Sequence, residues 1–296
     1  MEVVHTVEWM KQVARQARAE GNLTGLVPTM GALHAGHLAL IETARRDASP
    51  VIVSIFVNPK QFGPSEDYSK YPRDLENDRQ KLEEAGVDFL FAPSVEEIYP
   101  PGFRTSVNVE GLADRLEGRI RPGHFRGVAT VVLKLLEIVV PRFAYFGRKD
   151  AQQARIVRQM AADLELDSEI VVCPIVREAD GLALSSRNQY LSPAERKAAT
   201  VLYRALSRAR RALESGERET MSIVASVRQE LAEEPLAAAD YVEIVDANSF
   251  EPIIRLTRSC LILLAVRLGA TRLIDNMQVE VTDSRGGAPG GVICTL

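Results

Sequence analysis

Leu26-Val27-Pro28-Thr29-Met30-Gly31-Ala32-Leu33-His34-Ala35-Gly36-His37 is the stretch in which an apolar run gives way to small residues and two histidines, just ahead of an amphipathic pattern. The run Leu23 to Val27 predicts a buried strand, and Leu38, Ile41 and Ala44 then recur at helical spacing. The stretch therefore reads as strand, glycine loop and helix start, with Gly36 and His37 near the first turn. A helix N-terminus offers free backbone N–H groups and the positive end of the helix dipole, so a phosphate site is expected there. Gly31 and Gly36 are expected to let a ligand approach the main chain without a Cβ in the way. His34 and His37 would stand at the mouth of that site. Imidazole there can donate a hydrogen bond to a phosphoryl oxygen, or change charge near neutral pH. A loop histidine is more often structural than functional, but two of the chain's four histidines in one glycine loop favour function.

The 296 residues around this stretch are 46% apolar with a net charge of −4, enough to bury one large core or two modest ones. The acidic balance argues against an extended nucleic-acid surface, so neither a nucleic-acid nor a membrane partner is expected, though local basic clusters could still bind small anions. No apolar segment reaches the length that crosses a bilayer, and Glu2, His5 and Glu8 interrupt what would have to be a signal core. A soluble, cytoplasmic protein is the expectation. Cys173, Cys260 and Cys294 are odd in number and widely spaced, which suits neither a disulfide framework nor a metal knuckle.

Strands and helices alternate through the first half. Val51 to Val57 is a β-branched run, Pro72 to Ala85 fits a charged surface helix, Val87 to Ala92 a strand, Val128 to Val139 a long helix, and Phe143 to Phe146 and Ile170 to Val172 further strands. That alternation predicts an α/β fold with a parallel sheet whose ligands bind beyond the carboxyl ends of the strands. Three more loops fall at such ends. Asn58-Pro59-Lys60-Gln61-Phe62-Gly63 follows the Val51 strand. Phe146-Gly147-Arg148-Lys149-Asp150 leads into a helix carrying Gln152 and Gln153; Lys149 suits a phosphate, and Asp150 suits either ribose hydroxyls or the cap of that helix. Leu184-Ser185-Ser186-Arg187-Asn188 places two hydroxyls beside an arginine, as a phosphate clamp or as an ordinary capped turn. The segment Pro64 to Tyr71 is polar and short of apolar anchors in its Ser65 to Lys70 stretch, and is expected to act as a lid.

Six segments in this order carry a resemblance: Pro28 to His37, Phe56 to Phe62, Gly123-His124-Phe125-Arg126-Gly127-Val128, Gly147 to Asp150 with Gln152-Gln153, Leu184 to Asn188, and Thr271-Arg272-Leu273-Ile274-Asp275-Asn276. Each alone is weak evidence, whereas six in register are specific. The chain resembles the pantothenate synthetase (pantoate:β-alanine ligase) family of adenylate-forming, nucleotidyltransferase-like Rossmann enzymes over nearly its whole length. The resemblance implies ATP-dependent condensation of pantoate with β-alanine through a pantoyl adenylate, with Mg²⁺ on the nucleotide and a homodimeric assembly. It assigns ATP to Met30, Gly31, Ala32, Leu33, His34, Ala35, Gly36 and His37, to Gly147, Arg148, Lys149 and Asp150, and to Val176, Leu184, Ser185, Ser186 and Arg187. It makes His37 the general acid, with His34 and Lys149 as further catalytic groups. Gln61 would lie between pantoate and β-alanine, with Gln153 also on pantoate; which side chains surround the Mg²⁺ is left open. The family pattern is departed from at Leu184, Arg148 and Ala151, which are neighbours of the key side chains.

Beyond Val176 the composition shifts, predicting a Rossmann-like domain over 1–176 and a smaller α+β domain over 177–296, with a family cleft between them. The second domain is read as helices Pro193 to Leu213 and Met221 to Ala232, a short antiparallel sheet from Tyr241 to Val245, Cys260 to Val266 and Thr271 to Ile274, and a Gly-rich mobile tail from Ser284 to Leu296. Two other classes share parts of this pattern. A different nucleotidyltransferase would keep the histidine loop and serine turn but lack the Asn58 to Phe62 segment and Gln153, and a non-catalytic binding protein would have lost the histidine or charged positions.

Overall fold

In the computed structural model, which describes residues 1–64, 66–282 and 291–296, the chain divides into two units, Met1–Pro174 and Ile175–Leu296. The first runs β1 (Glu2–Val4), α1 (Val7–Ala19), β2 (Gly25–Thr29), α2 (Ala35–Asp47), β3 (Val51–Ile55), α3 (Leu75–Glu84), β4 (Phe89–Phe91), α4 (Val95–Ile98), α5 (Glu117–Ile120), α6 (His124–Val139), β5 (Phe143–Gly147), α7 (Ala151–Asp163) and β6 (Glu169–Cys173). Its strands are parallel in the order β1-β4-β3-β2-β5-β6. From β2 the chain builds outward through β3 and β4 on one side, then through β5 and β6 on the other. The reversal puts the ligand-binding crevice of such a sheet between the carboxyl ends of β2 and β5.

Pro28 opens that crevice. Gly25 donates its N–H to Pro50 and Thr29 accepts from Phe56, so the odd residues of β2 pair toward β3 and Pro28 faces β5. A proline has no N–H to continue the ladder. The register between β2 and β5 accordingly covers only Gly25 with Phe143 and Leu26 with Ala144, while β2 and β3 stay paired from Gly25 to Thr29. The expected strand from Leu23 is thus displaced to Gly25–Thr29, and Leu23 is exposed.

Leu40, Ile41 and Ala44 of α2 join Val27, Val51, Val53, Leu82 and Leu90 in one core cluster. Helix α6 is buried over most of its surface, its apolar residues interrupted on the exposed side by Arg126 and Glu137. It starts four residues before the predicted Val128, after Gly123 in the left-handed region. That earlier start brings His124 inside the fold. The N-terminal residues form β1 and an amphipathic α1 that buries Met10, Ala14 and Ala17 on one stripe.

The second unit contains α8 (Pro193–Ala198), α9 (Val201–Glu214), α10 (Thr220–Ala232) and the antiparallel strands β7 (Ala237–Asp246), β8 (Cys260–Leu268), β9 (Thr271–Val281) and β10 (Val292–Thr295), in the order β10-β9-β8-β7. The single helix predicted from Pro193 is broken after Ala198. There Thr200 turns its hydroxyl back onto the Lys197 carbonyl and the backbone bonds shorten to three-residue spacing. Leu202, Leu206 and Leu213 of α9 pack with Ile223 and Val227 of α10 and with Val242, Ile262 and Leu264 of the sheet. The strands outrun their predicted lengths, and β10 falls in the stretch expected to be a mobile tail, pairing with β9. The rest of that expected tail, through Gly290, lies outside the described residues. Among the described residues no helix is long and apolar enough to cross a membrane.

Candidate active site

His34 is the N-cap of α2 and His37 its third residue, and the two form a reciprocal capping box. Gly36 N–H donates to His34 Nδ1 at 3.1 Å and His34 N–H donates to His37 Nδ1 at 3.3 Å. Both Nδ1 atoms are acceptors, so each ring carries its proton on Nε2. The rings lie 4.1 Å apart. Burial lowers His34 to a pKa of about 4, aided by the nearby Lys149 charge, and lowers His37 to about 3, aided by His34. Both are therefore neutral Nε2–H donors at physiological pH. The expectation that they change charge near neutrality is corrected by their burial among cations.

The loop's main chain is also committed differently from the sequence reading. Gly31 N–H donates to Thr29 Oγ1 at 3.2 Å, and Ala32 and Leu33 N–H donate to the two Asp78 carboxylate oxygens at 2.8 Å each. Lys81 Nζ donates to the Leu33 carbonyl at 2.8 Å. Gly31, at φ 81°, cannot be exchanged freely: a Cβ would meet Asp78 Oδ2 at 2.9 Å. The close approach permitted by this glycine is thus by a carboxylate of the protein. Asp78 is 1% exposed on a helix predicted to be a charged surface element. Its position four residues before buried Leu82 places it on the inward stripe, the one signal that could have identified it.

At the end of β3, Asn58 has all four amide hydrogen-bonding positions filled. Its Oδ1 accepts from Lys60 N–H at 3.2 Å and from the Tyr99 hydroxyl at 2.8 Å, and its Nδ2 donates to the Gly127 carbonyl at 3.1 Å and to Gln61 Oε1 at 3.0 Å. Gln61 Nε2 lies 3.1 Å from the Met30 sulfur, which connects this loop to the histidine loop. Gly127 allows the close packing: a Cβ there would lie 2.1 Å from the Lys60 carbonyl. His124 Nδ1 donates to the Gln61 carbonyl at 2.8 Å while Arg121 faces its Nε2 at 3.1 Å, and burial keeps His124 at a pKa of about 4. Arg121 also ion-pairs with Glu66. The segment expected to be a lid is anchored: Tyr68 packs on Phe62, Tyr71 is buried beside Phe62, and Glu66 is held by Arg121. Its Ser65 lies outside the described residues. Tyr68 and Tyr71 are the apolar anchors that its polar composition obscured.

Beyond β5, Arg148–Asp150 form a single tight turn leading into α7. Arg148 is half-buried there. Lys149 Nζ lies 3.6 Å from Asp150 Oδ1, and both charges act on the two histidines. Asp150 makes no side-chain cap on α7, and its carboxylate lies beside Lys149 instead. A Cβ on Gly147 would meet nothing within 4 Å, so the main chain faces open space. The two glutamines diverge. Gln152 is buried and tied to Leu112, Arg115 and Glu117, a strut between α7 and the loop before α5. Gln153 is half-buried on the next position of the helix.

Within the second unit, Val176 and the serine turn are neighbours. Leu184 N–H donates to the Val176 carbonyl at 3.0 Å, and Arg177 bridges to Ala183. Ser185 Oγ caps the Ser186–Tyr190 turn by accepting from Arg187 N–H at 3.3 Å. Asp275, 1% exposed at its side chain on β9, binds the Arg177 guanidinium at 2.7 and 2.9 Å. The Thr271 to Asn276 segment thereby anchors the loop that carries Val176.

Among the described residues no group of three His, Cys, Asp or Glu side chains could hold a metal ion; Asp78 is occupied by backbone donors and Asp150 sits beside Lys149. The fit to a protein-held Mg²⁺ is poor. The cysteines are free, with Cys173 and Cys260 buried and Cys294 partly so, and burial raises all three thiols, Cys260 to about 12. None is disposed to ionise as a nucleophile.

Residues 2–278 match the family model described as pantoate-beta-alanine ligase. A pantothenate synthetase of Heliobacterium modesticaldum is 55% identical over 281 residues, covering 95% of this chain and 100% of the relative. The solved pantothenate synthetase of Thermus thermophilus is 49% identical with a TM-score of 0.89, covering 93% of this chain and 98% of that one. A pantoate-beta-alanine ligase of Francisella tularensis, solved in complex with beta-gamma ATP and beta-alanine, is 36% identical with a TM-score of 0.77, covering 93% and 97%.

Proposed function

The chain belongs to the pantoate-beta-alanine ligase family, and on that premise we propose that it condenses pantoate with β-alanine in two steps, at the crevice beyond β2 and β5. ATP is its nucleotide substrate, a reading supported by the Francisella enzyme's complex with beta-gamma ATP. In the first step a pantoate carboxylate oxygen attacks the α-phosphorus; the new O–P bond forms as the bond to diphosphate breaks. In the second, the neutral amine of β-alanine attacks the carbonyl carbon of the mixed anhydride. The C–N bond forms, the amine loses a proton, and AMP leaves.

The observation that carries this reading is the convergence of His34, His37 and Lys149 at the sheet's reversal point. Negative charge grows on the diphosphate as it departs. Two oriented Nε2–H donors and one ammonium in a partly dehydrated crevice stabilise that charge without reorganising. Their low pKa supports hydrogen-bond donation by His37 in place of the family's general-acid role. Met30 to His37 and Gly147 to Asp150 bind the nucleotide. For Val176, Leu184, Ser185, Ser186 and Arg187, neighbours within the second unit, a nucleotide-binding role rests on the family resemblance. Gln61 contacts pantoate and β-alanine, and Gln153 contacts pantoate; both amides add donors without charge near the attacking carboxylate. Mg²⁺ would arrive on the ATP phosphates and supply charge neutralisation there. The assembly we infer is a homodimer and the compartment the cytoplasm, tested by sedimentation and by fractionation.

The chemical test is exchange of labelled diphosphate into ATP with pantoate present and β-alanine omitted. Exchange is expected, and it should survive Cys173→Ser, Cys260→Ser and Cys294→Ser together. Exchange only with β-alanine present, or loss of it with one cysteine, would overturn the free acyl-adenylate route.

A further inference from the structure

Gln61 is fixed in a way that determines which half of its carboxamide reaches a ligand. Its Oε1 is occupied by Asn58 Nδ2, leaving Nε2 turned toward Met30. The orientation of Gln61 therefore depends on that of Asn58. Asn58 could reverse only by setting its NH₂ against the Lys60 N–H and its oxygen against the Gly127 carbonyl, two repulsive contacts. Tyr99 completes this arrangement. Its hydroxyl donates to Asn58 Oδ1 at 2.8 Å, the shorter of the two bonds that this oxygen accepts. The ring is held independently by Phe56 and Phe103, with centroids at 6.1 and 5.1 Å, and by Lys60 Nζ, 5.1 Å above it.

We propose that Tyr99 is a positioning residue for the pantoate end of the site: through Asn58 its hydroxyl holds the Gln61 carboxamide with the NH₂ presented to the substrate. Gln61 then serves as a donor and selects a ligand that brings an acceptor, such as a carboxylate or hydroxyl oxygen. The fully satisfied Asn58, 1% exposed, transmits the constraint because none of its four bonds can be exchanged for water. This inference rests on the assignment of Gln61 to pantoate.

Tyr99→Phe removes the hydroxyl and keeps the ring that packs on Phe56 and Phe103. The KM for pantoate should rise about 3- to 10-fold, the range expected for loss of one buried neutral hydrogen bond, while kcat and the KM for ATP stay within about twofold. Calorimetric titration of pantoate should show the same weakening, and the weakening should vanish in the Gln61→Ala background. Equal changes in both KM values, no change in either, or the same weakening without the Gln61 amide would overturn the relay. Where Gln61→Ala binds too weakly to titrate, the KM split decides. Failure of the underlying assignment reads out separately, as pantoate binding unaffected by Gln61→Ala.

Discussion

His34→Asn separates the two jobs that the structure gives one ring. The Nδ1 atom accepts Gly36 N–H and closes the first turn of α2, whereas Nε2–H is directed away from that bond as a donor. Asparagine places an acceptor near the Nδ1 position and is itself among the best N-caps, but it has nothing at the position of Nε2. His34→Ala removes both. Loss of a cap costs about 1 kcal/mol, which for a unit the size of the first corresponds to roughly 2–4 °C in melting temperature. Loss of one positioned donor to a developing oxyanion costs on the order of 10²–10³ in turnover. The expected pattern is therefore that His34→Ala melts about 2–4 °C lower and loses about 10²-fold or more in activity, while His34→Asn melts within about 1 °C of the parent and loses as much activity as alanine. Differential scanning fluorimetry and a coupled AMP-release assay measure the two sides. Asparagine retaining activity within about threefold would remove Nε2 from the chemistry, and asparagine melting like alanine would remove Nδ1 from the cap.

Lys149→Ala should lower kcat by about 100-fold or more, because it withdraws an ammonium that acts on the histidine pair; a loss under about threefold with an unchanged melting temperature would exclude it from the site. Stability should respond to acid through His34, His37 and His124, whose folded pKa values of about 4, 3 and 4 lie below the unfolded value of 6.5. Between those limits the unfolded chain binds more protons, so their contribution to stability is complete above about pH 6.5 and is lost progressively as pH falls toward 4 and below. Melts across pH 4 to 8 in which His124→Gln leaves the acid slope unchanged would contradict the burial argument for that residue.

The parallel sheet was legible because each strand is a short β-branched run closed by a polar loop, and those runs survive in the structure with ends shifted by a few residues. What escaped the reading had local causes. Strand β1 is three residues long, too short to show a period. Thr200 interrupts a helix whose apolar spacing continues through it, and β10 is separated from β9 by a glycine-rich stretch that resembles a tail. Pro28 is visible in the sequence as an oddity inside a strand, yet its consequence, the early parting of β2 and β5, depends on which neighbour its missing N–H would have faced.

The histidine loop makes the same point about the site. Sequence locates it, because glycines and histidines concentrate before a helix, but most of the loop's backbone donors already have partners in the protein. Gly31, Ala32, Leu33, His34 and Gly36 all spend their N–H groups within the protein. A loop with these five N–H groups committed holds its shape without a ligand, and the side chains then add the directed donors to phosphate. Two imidazoles meet that need only if neutral. As cations 4.1 Å apart beside Lys149 and Lys81 they would repel one another. Burial keeps them uncharged and the capping box fixes which nitrogen carries the proton, so Lys149 supplies the positive charge and the histidines supply direction. Asp78, which no motif marks, makes the arrangement possible by taking up two of the backbone donors beneath the loop.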